Sequence, residues 1–412
     1  MSKKPKPSQA KKSKSKNNNL WDHRDLGQEL DLFSFHEIAP GAPFWHPKGM
    51  IIFRELEKFA RKLNDADGYE EISTPILAKK EVFEKSGHWE HYRDNMFWFK
   101  NPRDEKEVLV VKPMNCPEST YVYYSKIRSY RDFPIRLAEI GRLHRNELSG
   151  TLGGLFRVRQ VTMDDAHIYV RPDQAEEEIV RVLKTIANFY KMLEFDAEYF
   201  LATKPEGALG TKKEWDIAEK ALTGALAGSK IKYSVAKGEG AFYGPKIEVH
   251  IKDSQGRDWQ MGTAQLDLVM LPDKFNLSYI DEDGKKQKPF VIHRAIFGSF
   301  ERFIGIILEH FNGALPFWLS PVQVKILSIN DEVNSYAENI LKKLKENNIR
   351  AEIDLRNESI GKKIREAEMQ KIPYLLIIGE KEAEAKKIAV RERGKGDLGA
   401  HTIEEFLSLA KK

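Results

Sequence analysis

The segment Pro134–Tyr169 constrains the fold of this chain of 412 residues more than any other part. An alternating run of apolar and polar residues ends in HRNE at residues 144–147. A loop rich in Gly, Ser and Thr follows, and a second alternating run carries Arg157 and Arg159. Two such runs joined by a glycine-bearing loop predict an antiparallel hairpin. Arginines on both arms suit phosphate binding, because the guanidinium group matches phosphate oxygens bidentately; a salt-bridged surface hairpin fits them as well.

The composition predicts a soluble protein of two or three domains. Apolar residues make up 41% of the chain and charged residues 31%. No apolar run approaches the roughly 20 residues of a membrane-spanning helix, and no secretory signal is present, so we expect a cytoplasmic protein without a membrane partner. The single cysteine, Cys116, excludes an internal disulfide and leaves three roles open: core filler, nucleophile or metal ligand.

Residues 1–19 form a lysine-rich tail that we predict to be disordered, because it has too little apolar surface to offset chain entropy. The tail holds seven lysines and no acids, so the net charge of +5 leaves the remaining chain near −2. It fits either a non-specific RNA tether or a solubility tail.

The segments on either side of the hairpin predict two domains. Apolar residues at 52, 56, 59 and 63 predict a helix, and residues 68–75 predict a strand that ends at proline. Further helices are predicted over 118–128, from 173 onwards and over 215–226, with strands at 240–249 and 259–268. A change of composition at residues 315–321 predicts a linker between a first domain, residues 20–314, and a second domain, residues 322–412.

The second domain alternates short apolar strands with amphipathic helices. Strands are predicted at 322–329, 351–355, 373–378 and 387–390, and helices at 336–344, 360–369 and 403–410. That order predicts a small α/β domain with a mixed sheet.

The basic hairpin resembles motif 2 of the class II aminoacyl-tRNA synthetases, and its RVR and DDAH sequences are similar to those of the threonyl-tRNA synthetase family. The helix and strand at residues 52–75 resemble motif 1, which builds a dimer interface, and the segment from 290 to 302 resembles motif 3. The resemblance extends over every residue beyond the tail. It implies an α+β catalytic domain with an antiparallel sheet flanked by helices, followed by a smaller α/β anticodon-binding domain.

The same resemblance implies a homodimeric ligase that joins L-threonine to threonine tRNA with ATP and Mg²⁺. It assigns one zinc ion per subunit to Cys116 in MNCP, His167 in DDAH and His293 in VIHR. A zinc ion with an open position would accept the amino and hydroxyl groups of threonine, and valine lacks the hydroxyl. Asp165 is expected either to accept a hydrogen bond from the hydroxyl or amino group of the substrate, or to orient the metal ligands as a carboxylate outside the coordination shell.

Arginines dominate the ATP site that the resemblance implies. Arg145 is assigned to the α-phosphate, Glu147 to the adenine amino group, Arg157 to the phosphates, and Arg302 to the adenine face and γ-phosphate. Arg145 and Arg302 are also the expected catalytic residues. Further positions that match the family are Gln260 and Ser299 for ATP, Met114, Tyr243 and Gln265 for threonine, His88 and Lys246 for catalysis, and Glu384 and Arg393 for anticodon bases. A structural role for His88 fits the sequence equally well.

Three departures from the family pattern stand out. Val161 and Met163 replace a phenylalanine and a glutamine, which removes one adenine stacking partner and one amide. Glu118 and Ser119 replace a glycine and a histidine after the zinc cysteine. The amino-terminal domains of the family, which include the one that hydrolyses seryl-tRNA, are not found, so we expect no editing in cis and a separate editing protein as a partner.

Two other functions compete with this interpretation. A ligase could adenylate an amino acid and load a carrier protein, and the anticodon-like domain argues against it. A catalytically inactive relative could bind only tRNA-like RNA, and the intact ATP and zinc residues argue against that.

Overall fold

The computed structural model describes residues 22–410, which form two units with separate hydrophobic cores. The predicted lysine-rich tail lies outside the described residues. The helices of the first unit are α1 (His23–Glu29), α2 (Pro47–Ala66), α3 (Lys80–Lys85), α4 (His88–Tyr92), α5 (Cys116–Tyr124), α6 (Ala175–Met192), α7 (Lys212–Gly228), α8 (Leu271–Lys274) and α9 (Phe300–His310).

Fifteen strands belong to the described part of the first unit. They are β1 (Phe33–Ser34), β2 (Phe44–Trp45), β3 (Glu70–Glu71), β4 (Leu77–Lys79), β5 (Phe97–Asn101), β6 (Asp104–Val111), β7 (Ile135–His144), β8 (Gln160–Val170), β9 (Ala197–Ala202), β10 (Ser234–Ala236), β11 (Lys246–Lys252), β12 (Asp258–Asp267), β13 (Tyr279–Ile280), β14 (Lys286–Gln287) and β15 (Phe290–Ala295).

An eight-stranded sheet in the order β10-β9-β11-β12-β15-β8-β7-β3 is the centre of this unit. Its inner pairs are antiparallel, and only the two outermost pairs, β10 with β9 and β3 with β7, are parallel. The largest core cluster packs α2, α6, α7 and α9 against the sheet, and a second cluster packs α5 and α8 against it. This arrangement confirms the predicted α+β fold with an antiparallel sheet.

The predicted helix at the motif 1 position is confirmed as α2. It begins at Pro47, which fits the first turn because that position needs no backbone donor. Ile52 and Leu56 are fully buried. The strand predicted over residues 68–75 is shorter than expected and comprises only β3, because the amide of Thr74 donates to the side chain of Glu139 (2.8 Å) instead of to a neighbouring strand.

The predicted hairpin is confirmed by β7 and β8, which pair antiparallel from Ile135 opposite Tyr169 to His144 opposite Gln160. The prediction that Arg157 and Arg159 lie within the second strand was wrong. Both precede β8, because the amide of Arg159 donates to the carbonyl of Gly41 (2.6 Å) and not to β7, although its carbonyl still accepts from the amide of Arg145 (2.8 Å).

Helix α5 is shifted from its predicted span. It begins at Cys116 and ends at Tyr124, where the chain turns back. The side chain of Arg128 then donates to the carbonyls of Tyr123 (3.0 Å) and Val122 (3.2 Å), which satisfies acceptors at the end of the helix. Helix α6 was predicted correctly, with three glutamates in its first turn.

The second unit is a mixed five-stranded sheet with helices, as predicted. Strands β17, β16 and β18 are parallel, whereas β18, β19 and β20 are antiparallel. The elements are β16 (Val324–Ser328), α10 (Asn334–Glu346), β17 (Ala351–Asp354), α11 (Ile360–Met369), β18 (Tyr374–Ile378), α12 (Glu380–Glu384), β19 (Ile388–Glu392), β20 (Gly396–His401) and α13 (Ile403–Ala410). The sequence did not predict α12 and β20.

Polar contacts join the two units. Arg350 of the second unit lies 3.4 Å from the carboxylate of Glu55 on α2. Leu315 and Leu319, within the predicted linker, pack in the core of the first unit, and Val322 packs in the second. The domain boundaries stay a prediction. Among residues 22–410 there is no helix with the length and apolar character needed to cross a membrane.

Candidate active site

Two adjoining cavities open over β8, β12 and β15, and they share one wall. The arginine cavity is lined by Arg145, Arg157 and Arg302 among others. The histidine cavity is lined by Cys116 and by His88, His91 and His293. The residues common to both linings are Arg145, Met163, Thr263, Gln265 and Ala295.

The fold brings together the three predicted metal ligands. Cys116 begins α5, and the pairing of β8 with β15 places His167 directly opposite His293. One ligand atom from each residue lies within 4.8 Å of the others. Nε2 of His167 and Nδ1 of His293 are buried and have no hydrogen-bond partner within residues 22–410. The other ring nitrogen of His293, Nε2, lies 3.4 Å from the carboxylate of Asp267. A thiol with two imidazoles that each keep one nitrogen without a partner is a donor set that fits zinc.

The electrostatics of this cluster disfavour charge. Burial, reinforced by His293 and Arg294, holds the pKa of His167 well below its usual range. Burial, reinforced by nearby carboxylates, raises the pKa of the Cys116 thiol. Metal coordination requires a neutral imidazole and a thiolate. A bound cation would therefore leave His167 neutral and would lower the pKa of Cys116, so that its thiol loses the proton.

The predicted threonine residues lie around the histidine cavity. Burial raises the pKa of Asp165 to about 6, although Asn115 donates a hydrogen bond to its carboxylate at 3.1 Å. The hydroxyl of Tyr243 donates to Gln265 at 2.5 Å. Met114, Tyr243 and Gln265 all line the cavity. The sequence did not single out Asn115, although it lies inside the MNCP segment next to the cysteine.

His88 is buried at the edge of the histidine cavity. Its Nδ1 lies 2.8 Å from the hydroxyl of Ser86, and its ring meets that of Phe242 edge-on at 5.9 Å. Burial, together with His293 and His91, lowers the pKa of His88 to about 3. The imidazole is therefore neutral at neutral pH and, in these surroundings, a weak base.

The predicted ATP residues converge on the arginine cavity, where the protein itself orients them. The guanidinium of Arg145 donates to the carbonyl of Pro113 (3.2 Å), and Arg157 forms an ion pair with Glu147 (2.8 Å). Gln260 and Ser299 also line this cavity.

Arg302 is held at the start of α9. Ser299 caps the helix by accepting from the amide of Arg302 (3.2 Å). Nε of Arg302 donates to the carbonyl of Phe156 (3.0 Å), and the guanidinium lies 5.3 Å from the ring centroid of Trp259. Burial, with repulsion from Arg145 and Arg157, lowers the pKa of Arg302. An anionic ligand would relieve that repulsion.

Lys246 begins β11, beside the strand β12 that carries part of the shared wall. It forms an ion pair with Glu248 at 2.6 Å, and the register of β11 and β12 sets it opposite Gln265. In the described chain it belongs to neither cavity lining.

Gly298 and Glu301 were missed by the sequence analysis. Gly298 has φ of +69°, and a Cβ there would lie 2.8 Å from the carbonyl of Met261, so only glycine fits this turn before the cap. The carboxylate of Glu301 accepts from the amide of Thr162 (2.8 Å) and the hydroxyl of Ser299 (3.1 Å). Glycine followed by serine before an apolar helix was the available signal.

The two residues of the first departure from the family pattern, Val161 and Met163, lie on the cavity walls. Val161 lines the arginine cavity, and Met163 lies on the wall that both cavities share. Phe156 is an aromatic residue in the lining of the arginine cavity.

The two predicted anticodon residues differ in their surroundings. Glu384 is exposed at the end of α12. The guanidinium of Arg393 donates to the carbonyls of Ala314 (2.8 Å) and Leu315 (2.7 Å), and also to that of Lys371. Arg393 therefore fastens the second unit to the chain that leaves α9.

Comparisons with known proteins agree with this architecture. Residues 97–311 match the tRNA synthetase class II core domain (G, H, P, S and T), and residues 323–412 match the anticodon binding domain. The chain is 52% identical over 386 residues to a threonine–tRNA ligase of Carboxydothermus hydrogenoformans and 50% identical over 387 residues to that of Clostridium tetani. Each alignment covers 94% of this chain and 60% of the relative, so the chain spans about three fifths of the length of the curated relatives it matches.

A solved structure is similar over almost the whole chain. The RNA binding domain of threonyl-tRNA synthetase from Cryptosporidium parvum Iowa II superposes with a TM-score of 0.89 at 40% identity. The match covers 95% of this chain and 97% of that domain.

Proposed function

This chain belongs to the threonyl-tRNA synthetase family of class II aminoacyl-tRNA synthetases, and from that premise we propose that it activates L-threonine with ATP and transfers the threonyl group to the 3′ end of threonine tRNA. The observation that carries the proposal is the wall shared by the two cavities. A nucleotide in the arginine cavity and an amino acid in the histidine cavity would meet at Arg145. Proximity of this kind lowers the barrier to reaction between two bound substrates.

Cations oriented by the protein would bind ATP together with Mg²⁺. Arg145 would contact the α-phosphate, Arg157 and Arg302 the other phosphates, and Glu147 the adenine amino group. Arg302 would also cover one face of the adenine ring, and Phe156 offers an aromatic surface where Val161 has replaced the family's phenylalanine. Gln260 and Ser299 complete the site.

The threonine carboxylate would attack the α-phosphorus, forming the new P–O bond as the bond to pyrophosphate breaks. Charge accumulates on the phosphate oxygens, and Arg145 and Arg302 would neutralise it. For the transfer step, His88 stays the predicted base near the tRNA terminus; it would need surroundings that raise its pKa towards neutrality, and a structural role stays the alternative. Lys246 would need to leave Glu248 to take part, so its catalytic role stays a prediction.

We propose one zinc ion per subunit, held by Cys116, His167 and His293. The donor atoms without partners support this assignment. When bound, zinc would coordinate the amino and hydroxyl groups of threonine and so discriminate against valine. Asp165, with Asn115 bonded to it, would contact the same groups of the substrate, next to Met114, Tyr243 and Gln265.

Glu384 and Arg393 stay the predicted readers of the anticodon. Glu384 is exposed and could meet an unpaired base directly. Arg393 would have to exchange one of its carbonyl contacts for a base, so we expect the larger contribution to recognition from Glu384.

A homodimer is part of this proposal. Strand β3 lies at the edge of the large sheet, and two exposed apolar residues follow it in the chain: Ile76 is 46% exposed, and Leu77, the first residue of β4, is 49% exposed. An open edge beside exposed apolar residues suits pairing with a second copy. Analytical ultracentrifugation of the wild type and of a variant with Ile76→Glu and Leu77→Glu tests the dimer.

The primary test is threonine-dependent exchange of pyrophosphate into ATP, followed by charging of purified threonine tRNA. Exchange with threonine, weak exchange with valine, and charging of tRNA are the expected results. Transfer to a carrier protein instead of tRNA would favour the carrier-ligase alternative. Absence of exchange with retained binding of tRNA would favour an inactive RNA-binding relative. Editing of serine by a separate protein stays a prediction.

A further inference from the structure

His23, on the short helix α1, contacts the loop that precedes β8. Its Nδ1 lies 2.8 Å from Oε1 of Glu309, and its Nε2 accepts a hydrogen bond from the amide of Leu155 at 3.0 Å. Because an amide can only donate, Nε2 carries no proton and Nδ1 donates to Glu309. The imidazole is 2% exposed, so both hydrogen bonds are made away from water.

Glu309 is itself fixed from the other side. Its Oε2 accepts from Arg257 at 2.8 Å, and Arg257 is bound to Asp253 at 2.5 Å. These contacts leave the Asp22, His23 and Glu309 cluster with its polar atoms already paired, so we do not assign a metal there.

The loop that His23 holds forms one wall of the arginine cavity. The ring of His23 lies 4.1 Å, centroid to centroid, from the ring of Phe156, which follows Leu155 and lines that cavity. The carbonyl of Phe156 accepts from Nε of Arg302 at 3.0 Å. The chain of contacts therefore runs from Glu309 through His23 to Leu155 and Phe156, and ends on Arg302.

Gly154 confirms how closely the loop approaches the imidazole. Its φ is +57°, and a Cβ at this position would lie 2.3 Å from Nε2 of His23. A side chain at residue 154 would displace the ring from the amide of Leu155.

We propose that His23 is a positioning residue for ATP, which aligns Phe156 and Arg302 by accepting a hydrogen bond from the amide of Leu155. This proposal rests on the assignment of the arginine cavity to ATP. His23 acts through the loop and does not itself line the cavity, as far as the described residues extend.

Two amide variants separate the two hydrogen bonds of the ring. In His23→Gln the side-chain oxygen reaches the position of Nε2 and can still accept from Leu155. In His23→Asn the shorter side chain reaches only the position of Nδ1, so the amide of Leu155 loses its acceptor. Loss of a buried acceptor costs on the order of a tenfold change in an equilibrium.

The test measures binding of Mg·ATP by equilibrium dialysis and amide hydrogen exchange at Leu155 in the full chain. We expect His23→Asn to weaken ATP binding about tenfold and to speed exchange at Leu155 by at least as much, with His23→Gln close to wild type. Gly154→Ala should weaken ATP binding in the same way, and it replaces His23→Asn in the test if His23→Asn does not fold. His310→Gln, at the end of the same helix as Glu309, is the matched control and should bind ATP as the wild type does.

Steady-state exchange kinetics add a second readout. A rise in KM for ATP with little change in kcat supports the positioning role. The proposal is overturned if both His23 variants lose activity only in proportion to the fall in their unfolding temperatures. Equal ATP affinity of folded His23→Asn and wild type also overturns it. Failure of the proposed function is a separate result, in which the wild type binds ATP but shows no threonine-dependent pyrophosphate exchange.

Discussion

The two cavities of the candidate active site are built in opposite ways. In the arginine cavity, Arg145, Arg157 and Arg302 are each oriented by a carbonyl or carboxylate of the protein. At the histidine cavity, one ring nitrogen of His167 and one of His293 lack partners in the part of the chain that is described. Buried polar groups without partners destabilise a fold. The first site is therefore held by acceptors of the protein itself, whereas the second leaves donor atoms free for the zinc ion that we propose.

The largest expected effect comes from removing a cation of the arginine cavity. Arg302→Ala or Arg145→Ala should lower the rate of threonine-dependent pyrophosphate exchange about a hundredfold or more, because each guanidinium would stabilise charge that develops in the transition state. Arg365→Ala, which removes an exposed guanidinium on α11, is the control. An unchanged exchange rate in either folded variant would contradict the assignment of the arginine cavity.

Removal of the metal should affect only the histidine cavity. We expect one zinc per subunit in the wild type by elemental analysis and none in Cys116→Ala, with threonine activation reduced by roughly ten- to a hundredfold. Binding of ATP should change little, because its contacts lie in the other cavity. Asp22→Asn alters the cluster of Asp22, His23 and Glu309, to which we assign no metal, and should leave the zinc content unchanged. Full activation of threonine by Cys116→Ala would end the zinc proposal.

Selectivity between amino acids should show the limit of the histidine cavity. Serine has the same amino and hydroxyl groups as threonine and lacks one methyl group, which is worth about 1–3 kcal/mol, or roughly ten- to two-hundredfold in kcat/KM. Valine, which lacks the hydroxyl, should be activated less well than serine. Activation of valine at the level of serine would show that the hydroxyl is not what the pocket recognises.

The smallest effect concerns the pH dependence of stability at Glu301, which lies behind the arginine cavity and accepts a hydrogen bond from Ser299 of its lining. Burial raises the pKa of Glu301 from 4.5 to about 7, so the folded protein keeps a proton that the unfolded chain releases at lower pH. Stability should therefore fall as pH rises from about 4.5 to about 7. Glu301→Gln should remove this component from the pH dependence of the unfolding temperature, and Glu338→Gln, on the exposed face of α10, should leave it. An identical pH profile for Glu301→Gln and the wild type would contradict the shifted pKa.

The spacing of apolar residues along the sequence predicted those helices and strands in which buried and exposed residues alternate regularly. Helix α11 was predicted with its observed bounds, because its apolar spacing is regular, and the hairpin follows from alternation on both arms. Arg157 and Arg159 were misplaced because the amide of Arg159 pairs with Gly41, a partner more than a hundred positions away that no local pattern indicates.

Contacts between distant positions explain what the sequence could not show. Cys116, His167 and His293 have no common spacing, so only their resemblance to a family marked them before the fold brought them together. His23 was not noticed at all, since its partner Glu309 is 286 positions away. A single histidine in a polar stretch carries no signal of such a bond.

The pairing of His167 with His293 across β8 and β15 restricts where residues can be inserted or deleted in this chain. Side chains alternate between the faces of a sheet, so inserting or deleting one residue in either strand would move one imidazole to the opposite face. Loops that leave the register intact, such as residues 145–159 between β7 and β8, carry no such restriction on the metal ligands. We therefore expect the protein to keep its zinc when a residue is inserted in such a loop. A residue inserted within β8 or β15, next to the paired histidines, should abolish zinc binding.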